Sequence, residues 1–265
     1  LPVPVVIDGK PTLAVQSLDT LTDSDFRGKG LFLKLAKANY ERARAAGVAF
    51  VYGFPNGSSA HGFFSRLEWV RLAPVPFLVR PLRTSYVAAR ISKRLASFPD
   101  LALPARLPEM PDEQELRAVR RFDASHEAIW RENVARIGIA VDRSAAYLNW
   151  RLRDKPGEDY RILALHERGA LLGFVAQCVK EKHGGRVGYV LELLHRLDRP
   201  DAGVTLLRAA IDDLSRRGAD LALAWNLPHS PNHAAFARTG FLSFPERIRP
   251  VELHVGARRL ALPDD

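Results

Sequence analysis

The chain has 265 residues, enough for two domains or one large one. Hydrophobic residues make up 47% of it, which supplies a sizeable core, and no run of 18 apolar residues offers a membrane span. Its net charge is +9, but the arginines are scattered and not massed in a stripe with aromatics. The charge therefore reads as a solvated basic surface, and nucleic acid is not the expected partner. The single cysteine, Cys178, rules out an internal disulfide and lies in the apolar run 171–179, as a core residue would in a reducing compartment such as the cytoplasm. Met110 is the only methionine, so the chain starts without an initiator methionine and is expected to be a piece of a longer protein.

Residues 3–7 and 12–18 flank Asp8-Gly9, a strong hairpin signal. A polar turn, Asp23-Ser24-Asp25, follows. Arg27-Gly28-Lys29-Gly30 then opens a segment with apolar residues at Leu31, Leu35 and Ala38 and again at Phe32 and Ala36, which is helical spacing. Gly47 closes that helix, and residues 48–54 read as a strand parallel to the one before the loop. The unit is strand, glycine loop, helix, strand. Two glycines let the backbone approach a ligand closely, and the helix start presents unpaired N–H groups and a positive dipole end. A diphosphate fits such a place, with Arg27 and Lys29 adding charge.

Further on, residues 60–67 predict a short helix and 69–79 one or two strands bent at Pro74 and Pro76. Residues 86–97 predict a basic amphipathic linker helix, and four prolines between 99 and 111 mark the domain boundary. Beyond it come helices at 113–136 and 145–152, strands at 161–165, 171–180 and 188–194, a helix at 205–217, a strand at 221–225, a helix at 232–239 and a last strand at 249–255. Two segments can be laid on each other. The acids Asp19 and Glu192 correspond, eleven residues on stand Gly30 and Gly203, and Gly47 and Gly218 end the two helices. Phe64 and Phe236 then precede Glu68-Trp69 and Gly240-Phe241. One αβ unit has been duplicated.

The dinucleotide pattern G-x-G-x-x-G fails at Leu33, and no G-x-x-x-x-G-K-[ST] string exists. Arg27-Gly28-Lys29-Gly30, after a strand and before an amphipathic helix, resembles the acetyl-CoA loop of the GNAT acetyltransferase superfamily, with Phe32 a departure at its last position. The resemblance implies an α/β fold of tandem GNAT-like mixed sheets flanked by helices. A first copy at 1–85 would lack its opening elements, a linker would cover 86–112, and a second, degenerate copy would fill 113–265. It implies acetyl or short acyl transfer from acetyl-CoA to an amine acceptor, with the alternative of a non-catalytic CoA-sensing or scaffolding module. Leu21 and Thr22 would take the pantetheine and the acyl carbonyl at a strand end. The amides of Arg27, Gly28, Lys29, Gly30, Leu31 and Phe32 would take the diphosphate, and Asn56 would face the pantetheine. Asp19, on the entering strand, would act as base toward the amine. The family's tyrosine acid toward the CoA thiolate is replaced by Phe64, and by Phe236 in the second copy, so the role is absent or falls to another residue such as Tyr52.

The second copy carries Arg199-Pro200-Asp201-Ala202-Gly203-Val204 where the loop is expected; Asp201 would repel phosphate and Pro200 lacks an N–H. His229 and His233 stand four apart, but no third metal ligand accompanies them, so no metal site is expected.

Overall fold

The structure is a computed structural model and describes residues 1–84, 86, 88, 99–104, 109–182, 184–245 and 253–261. It divides into two compact units: residues 1–75 with 137–142 and 246–265, and residues 76–136 with 143–245. The expected contiguous division near residue 85 differs from this, because short segments cross in both directions.

In the first unit, β1 (Pro2–Ile7) and β2 (Lys10–Ser17) form the expected hairpin, with Ile7 opposite Lys10 and positive φ at Asp8 and Gly9. A 3₁₀ turn, Ser24–Phe26, leads to α1 (Leu31–Ala45) and then β3 (Phe50–Gly53), parallel to β2 with Val15 opposite Val51. The expected helix at 60–67 is divided. α2 (Gly57–His61) begins on Asn56, whose side chain accepts from the Ser59 amide, and a π-helical turn continues through Gly62–Arg66. β4 (Val70–Leu72) follows. The apolar side of α1 packs on the sheet with buried Tyr40, Val51, Phe63, Leu67 and Trp69. Trp69 Nε1 donates to Tyr40 Oη at 3.1 Å; burial pushes the Tyr40 hydroxyl up, against the lowering effect of that bond.

β5 (Phe77–Pro81) belongs to the second unit. The expected helix at 113–136 is a correction: it is β6 (Gln114–Ala118), a bend, and then α3 (Ala124–Val134). Gln114–Ala118 is rich in helix formers, yet its pairing with a neighbouring strand overrides propensity. α3 starts on Asp123, which accepts from the amides of Ser125 and His126. β7 (Ile139–Val141) returns to pair with β1, and α4 (Ala145–Leu152) matches its predicted bounds. β8 (Arg161–Glu167), β9 (Ala170–Lys182) and β10 (Gly185–His195) form a meander. α5 (Pro200–Arg216), β11 (Leu221–Trp225), α6 (His233–Arg238), β12 (Leu242–Ser243) and β13 (Val255–Arg259) complete the chain. The last strand is thus at 255–259, and most of the predicted 249–255 lies outside the described residues. So do most of the predicted helix at 86–97 and residues 105–108 of the linker.

The two sheets read β4-β13-β3-β2-β1-β7 and β12-β5-β11-β10-β9-β8-β6. Written in these directions, the first six strands of each follow one plan. The third and fourth are parallel (β3 with β2, β11 with β10), and the other neighbours are antiparallel. The helix between each parallel pair, α1 or α5, is its crossover. The duplication is therefore structural as well as sequential. The second strand of each sheet comes from the other half of the chain, β13 in the first and β5 in the second. In the second unit, α5 buries Leu206, Leu207, Ile211 and Leu214 against the sheet.

Candidate functional site

The glycine loop lies where β2 ends and α1 begins, at the carboxyl end of a parallel pair, where open α/β sheets take their ligands. Gly28 and Gly30 both adopt left-handed backbone, with φ of 76° and 71°. A Cβ at either would meet no neighbour within 4 Å, so backbone conformation and not packing demands glycine there. Gly30 caps α1 without a side-chain acceptor, and the first helical bond runs from the Lys34 amide to the Gly30 carbonyl at 3.1 Å. Among the described residues, the amides of Gly28, Lys29, Gly30, Leu31, Phe32 and Leu33 have no intramolecular acceptor. Six consecutive N–H groups are thus presented at the positive end of a 15-residue helix.

The remaining expected site residues are arranged differently. β2 ends at Ser17, so Asp19 is not on the entering strand; it is exposed and left-handed, with φ of 50°. Leu21 and Thr22 lie in the exposed segment after the strand, Leu21 at 87% exposure. Arg27 folds back, its Nε donating to the Thr22 carbonyl at 3.3 Å, and Lys29 stands over the Phe26 ring at 4.8 Å. Phe32 leaves the loop for the core, edge-on to Phe63 at 5.3 Å. Asn56 sits at the carboxyl end of β3; its Oδ1 is taken by the amide and hydroxyl of Ser59, so its Nδ2 is the group it can offer a ligand.

A cluster invisible to sequence reasoning stands beside Asn56. The His254 amide donates to the Pro55 carbonyl at 3.0 Å, and Leu253 bridges to Asn56. Arg71 lies 2.7 Å from His254 Nδ1 and stacks over the Phe64 ring at 4.2 Å; Phe64 meets the His254 ring edge-on at 6.1 Å. Arg71 and His254 are 183 positions apart, and only the pairing of β13 with β3 and β4 brings them together.

The matching position in the second unit has no such loop. α5 starts at Pro200 directly, and neither Asp201 nor Gly203 has positive φ. Arg199 pairs there with Glu167 and Asp201 at 2.5 and 3.0 Å, and Glu167 is held down to about 2, chiefly by its bond from Arg199. Glu192, the counterpart of Asp19, pairs with Arg143 at 2.9 Å. Among the described residues, no group of three or more His, Cys, Asp or Glu side chains could hold a metal ion.

No protein-family model matches the chain, and no curated protein matches it. Solved structures do. N-myristoyltransferase from Saccharomyces cerevisiae with bound myristoyl-CoA is similar with a TM-score of 0.64 at 14% identity, over 97% of this chain and 65% of that one. A GCN5-related N-acetyltransferase from Anabaena variabilis gives 0.65 at 9% identity, over 99% and 58%. This chain thus spans less than two thirds of either protein. A tandem GNAT protein from the clavulanic acid biosynthesis pathway gives 0.57 at 13% identity, over 96% and 76%. At these identities the likeness is one of fold: two mixed sheets flanked by helices, in the GNAT manner.

Proposed function

We propose that this chain transfers an acyl group, acetyl or another short one, from CoA to an amine. The six unpartnered amides from Gly28 to Leu33 carry the reading. A diphosphate accepts from such a row and gains from the helix dipole, with Lys29 supplying charge. The thioester would run toward the carboxyl ends of β2 and β3, with Leu21, Thr22 and the Nδ2 of Asn56 facing the pantetheine. Asp19, exposed past the strand end, would take the proton from an amine arriving from solvent. The structural neighbours named for N-acyl transfer support the reaction class, and the lone buried Cys178 accords with a cytoplasmic setting, where CoA thioesters are made. The arrangement in the second unit, with Asp201 and Arg199 at the start of α5, leaves that copy without a phosphate cradle.

A second reading, a CoA-sensing module without turnover, draws on Phe64, which cannot donate a proton to the leaving thiolate. Calorimetric titration with acetyl-CoA tests the binding common to both. Saturable binding that is lost in Gly30→Asp, where a carboxylate would meet the phosphates, supports the site, and no binding to the unaltered chain rejects it. Release of CoA with a panel of primary amines then separates transferase from sensor.

A further inference from the structure

The second unit has no glycine loop, but its parallel strands part. β10 and β11 pair from Val187 opposite Leu221 to Val190 opposite Ala224, and no further. A bulge between Val190 and Glu192 turns β10 aside, and from there it continues to His195 along β9. The carboxyl ends of this parallel pair therefore diverge, and such a crevice is where open α/β sheets take ligands. We propose that this opening binds a primary ammonium group, held by the side-chain oxygens of Asn226 and Asn232.

The turn after β11 folds across the opening. Asn226 follows the last residue of β11 and is 8% exposed. Its Nδ2 donates to Ser230 Oγ at 3.2 Å, and the Asn232 amide donates to the same oxygen at 3.2 Å. Asn232 Nδ2 donates in turn to the Leu193 carbonyl at 2.7 Å. Leu193 belongs to the stretch of β10 that β11 no longer accompanies, so Asn232 reaches into the space between the two strands. A carbonyl only accepts, which fixes the Asn232 amide group: Nδ2 faces Leu193, and Oδ1 is left as an acceptor.

Lone pairs without donors gather here. Among the described residues, nine buried side-chain nitrogen or oxygen atoms have no hydrogen-bond partner, and four of them belong to this end of the unit: Oδ1 of Asn226, Oδ1 of Asn232, Nε2 of His195 and Nδ1 of His233. His195 gives its Nδ1 proton to the Arg196 carbonyl at 2.8 Å, so Nε2 carries a lone pair. A Cβ at Gly203 would fall 2.8 Å from that Nε2 and 3.4 Å from the Ala235 Cβ, which puts the ring in one layer with α6. Buried acceptors left bare cost free energy, and a ligand with donors recovers it.

A primary ammonium has three donors and no acceptor, and its charge strengthens each bond. Potassium and other hard cations seek oxygen, whereas two of these four atoms are imidazole nitrogens. The two copies thus differ in sign: the first presents donors, suited to an anion, and the second presents acceptors, suited to an amine. The site lies within the second unit and stands whether or not the chain transfers an acyl group.

The probe is propylammonium chloride, added to the full chain and followed by nitrogen–proton NMR of the Asn226 and Asn232 side-chain amides. Tetramethylammonium chloride, a cation without a donor, keeps the ionic strength constant and serves as the blank; potassium chloride is a third arm. Saturable shifts are expected with propylammonium alone, at a Kd of about 1 mM, as so small a ligand allows. Asn226→Asp keeps an acceptor and adds a charge, so it should tighten binding about tenfold; Asn232→Leu should weaken it about tenfold. No shift, or equal shifts with tetramethylammonium, means that the bare acceptors hold water only and overturns the proposal. Stronger shifts with potassium overturn it too, as does an Asn226→Asp protein that binds propylammonium no tighter. If Asn232→Leu fails to fold, the direction of the Asn226→Asp change decides.

Discussion

The imidazole of His195 packs against Gly203. A Cβ at position 203 would fall 2.7 Å from Cδ2 and 2.8 Å from Nε2 of that ring. The His195 ring is fixed by its Nδ1–H bond to the Arg196 carbonyl at 2.8 Å, and it is 3% exposed. Gly203 is therefore a packing glycine inside α5, whereas its sequence counterpart Gly30 is a conformational one. Gly203→Ala should destabilise by about 1–2 kcal/mol, overpacking outweighing the gain in helix propensity of about 1 kcal/mol. His195→Ala in the same chain should relieve much of that loss, so the double variant measured by chemical denaturation falls short of additivity.

Glu68 holds a left-handed backbone, with φ of 57°, and Gly240 holds φ of 79° at the corresponding turn of the other copy. Left-handed backbone costs a side chain about 1–2 kcal/mol. The partner of Glu68, Arg258 at 2.9 Å, is met by a carboxylate side chain that is 79% exposed, so little is lost with it. Glu68→Gly should raise stability by about 0.5–1 kcal/mol, less than the strain because glycine loosens the unfolded chain. A thermal unfolding curve that moves down instead removes strain as the explanation.

Asp213 is 6% exposed and accepts from Arg161 Nη1 at 2.9 Å and from Gln177 Nε2 at 2.8 Å. Gln177 is fully buried in the middle of β9, so removing its acceptor strands an amide in the core. Asp213→Ala should cost about 3 kcal/mol, and Asp213→Asn appreciably less, because the oxygen facing Gln177 survives. Equilibrium denaturation of the two variants checks the order.

The Asp123 carboxyl is held well below its ordinary value, first by the Ser125 hydroxyl and then by His126. A depressed native pKa means a contribution fully present above the unfolded value near pH 4 and lost as the pH falls toward the native one. Its side chain is largely exposed, so the cap sets the scale: Asp123→Ala should cost about 1 kcal/mol at pH 7 and less at pH 3. A loss that grows toward acid pH contradicts this sign.

How much of this was legible before the structure follows from where each signal resides. The hairpin at Asp8-Gly9, the glycine loop and the parallel pair around α1 are local patterns, and chemistry at adjacent positions encodes them. The duplication was visible because Gly47 and Gly218 each stop a helix, both with positive φ. Gln114–Ala118 favours helix in isolation, and only its pairing with β8 makes β6 a strand. β5 and β13 read as strands of their own halves, since nothing in a strand's sequence states which sheet it will join. The alternation that suggests a strand reaching Asp19 runs one residue past Ser17, where the parallel pairing stops. His254 and Arg71 were out of reach for the same reason as β13: their meeting depends on a pairing across the length of the chain.

The most direct test of the central claim follows the backbone amides of residues 28–33 by nitrogen–proton NMR as CoA is added. The account predicts that these six resonances move together, saturably, and that the shifts vanish in Gly30→Asp. Saturable CoA binding that leaves them in place, or moves instead the amides at the start of α5, would contradict it.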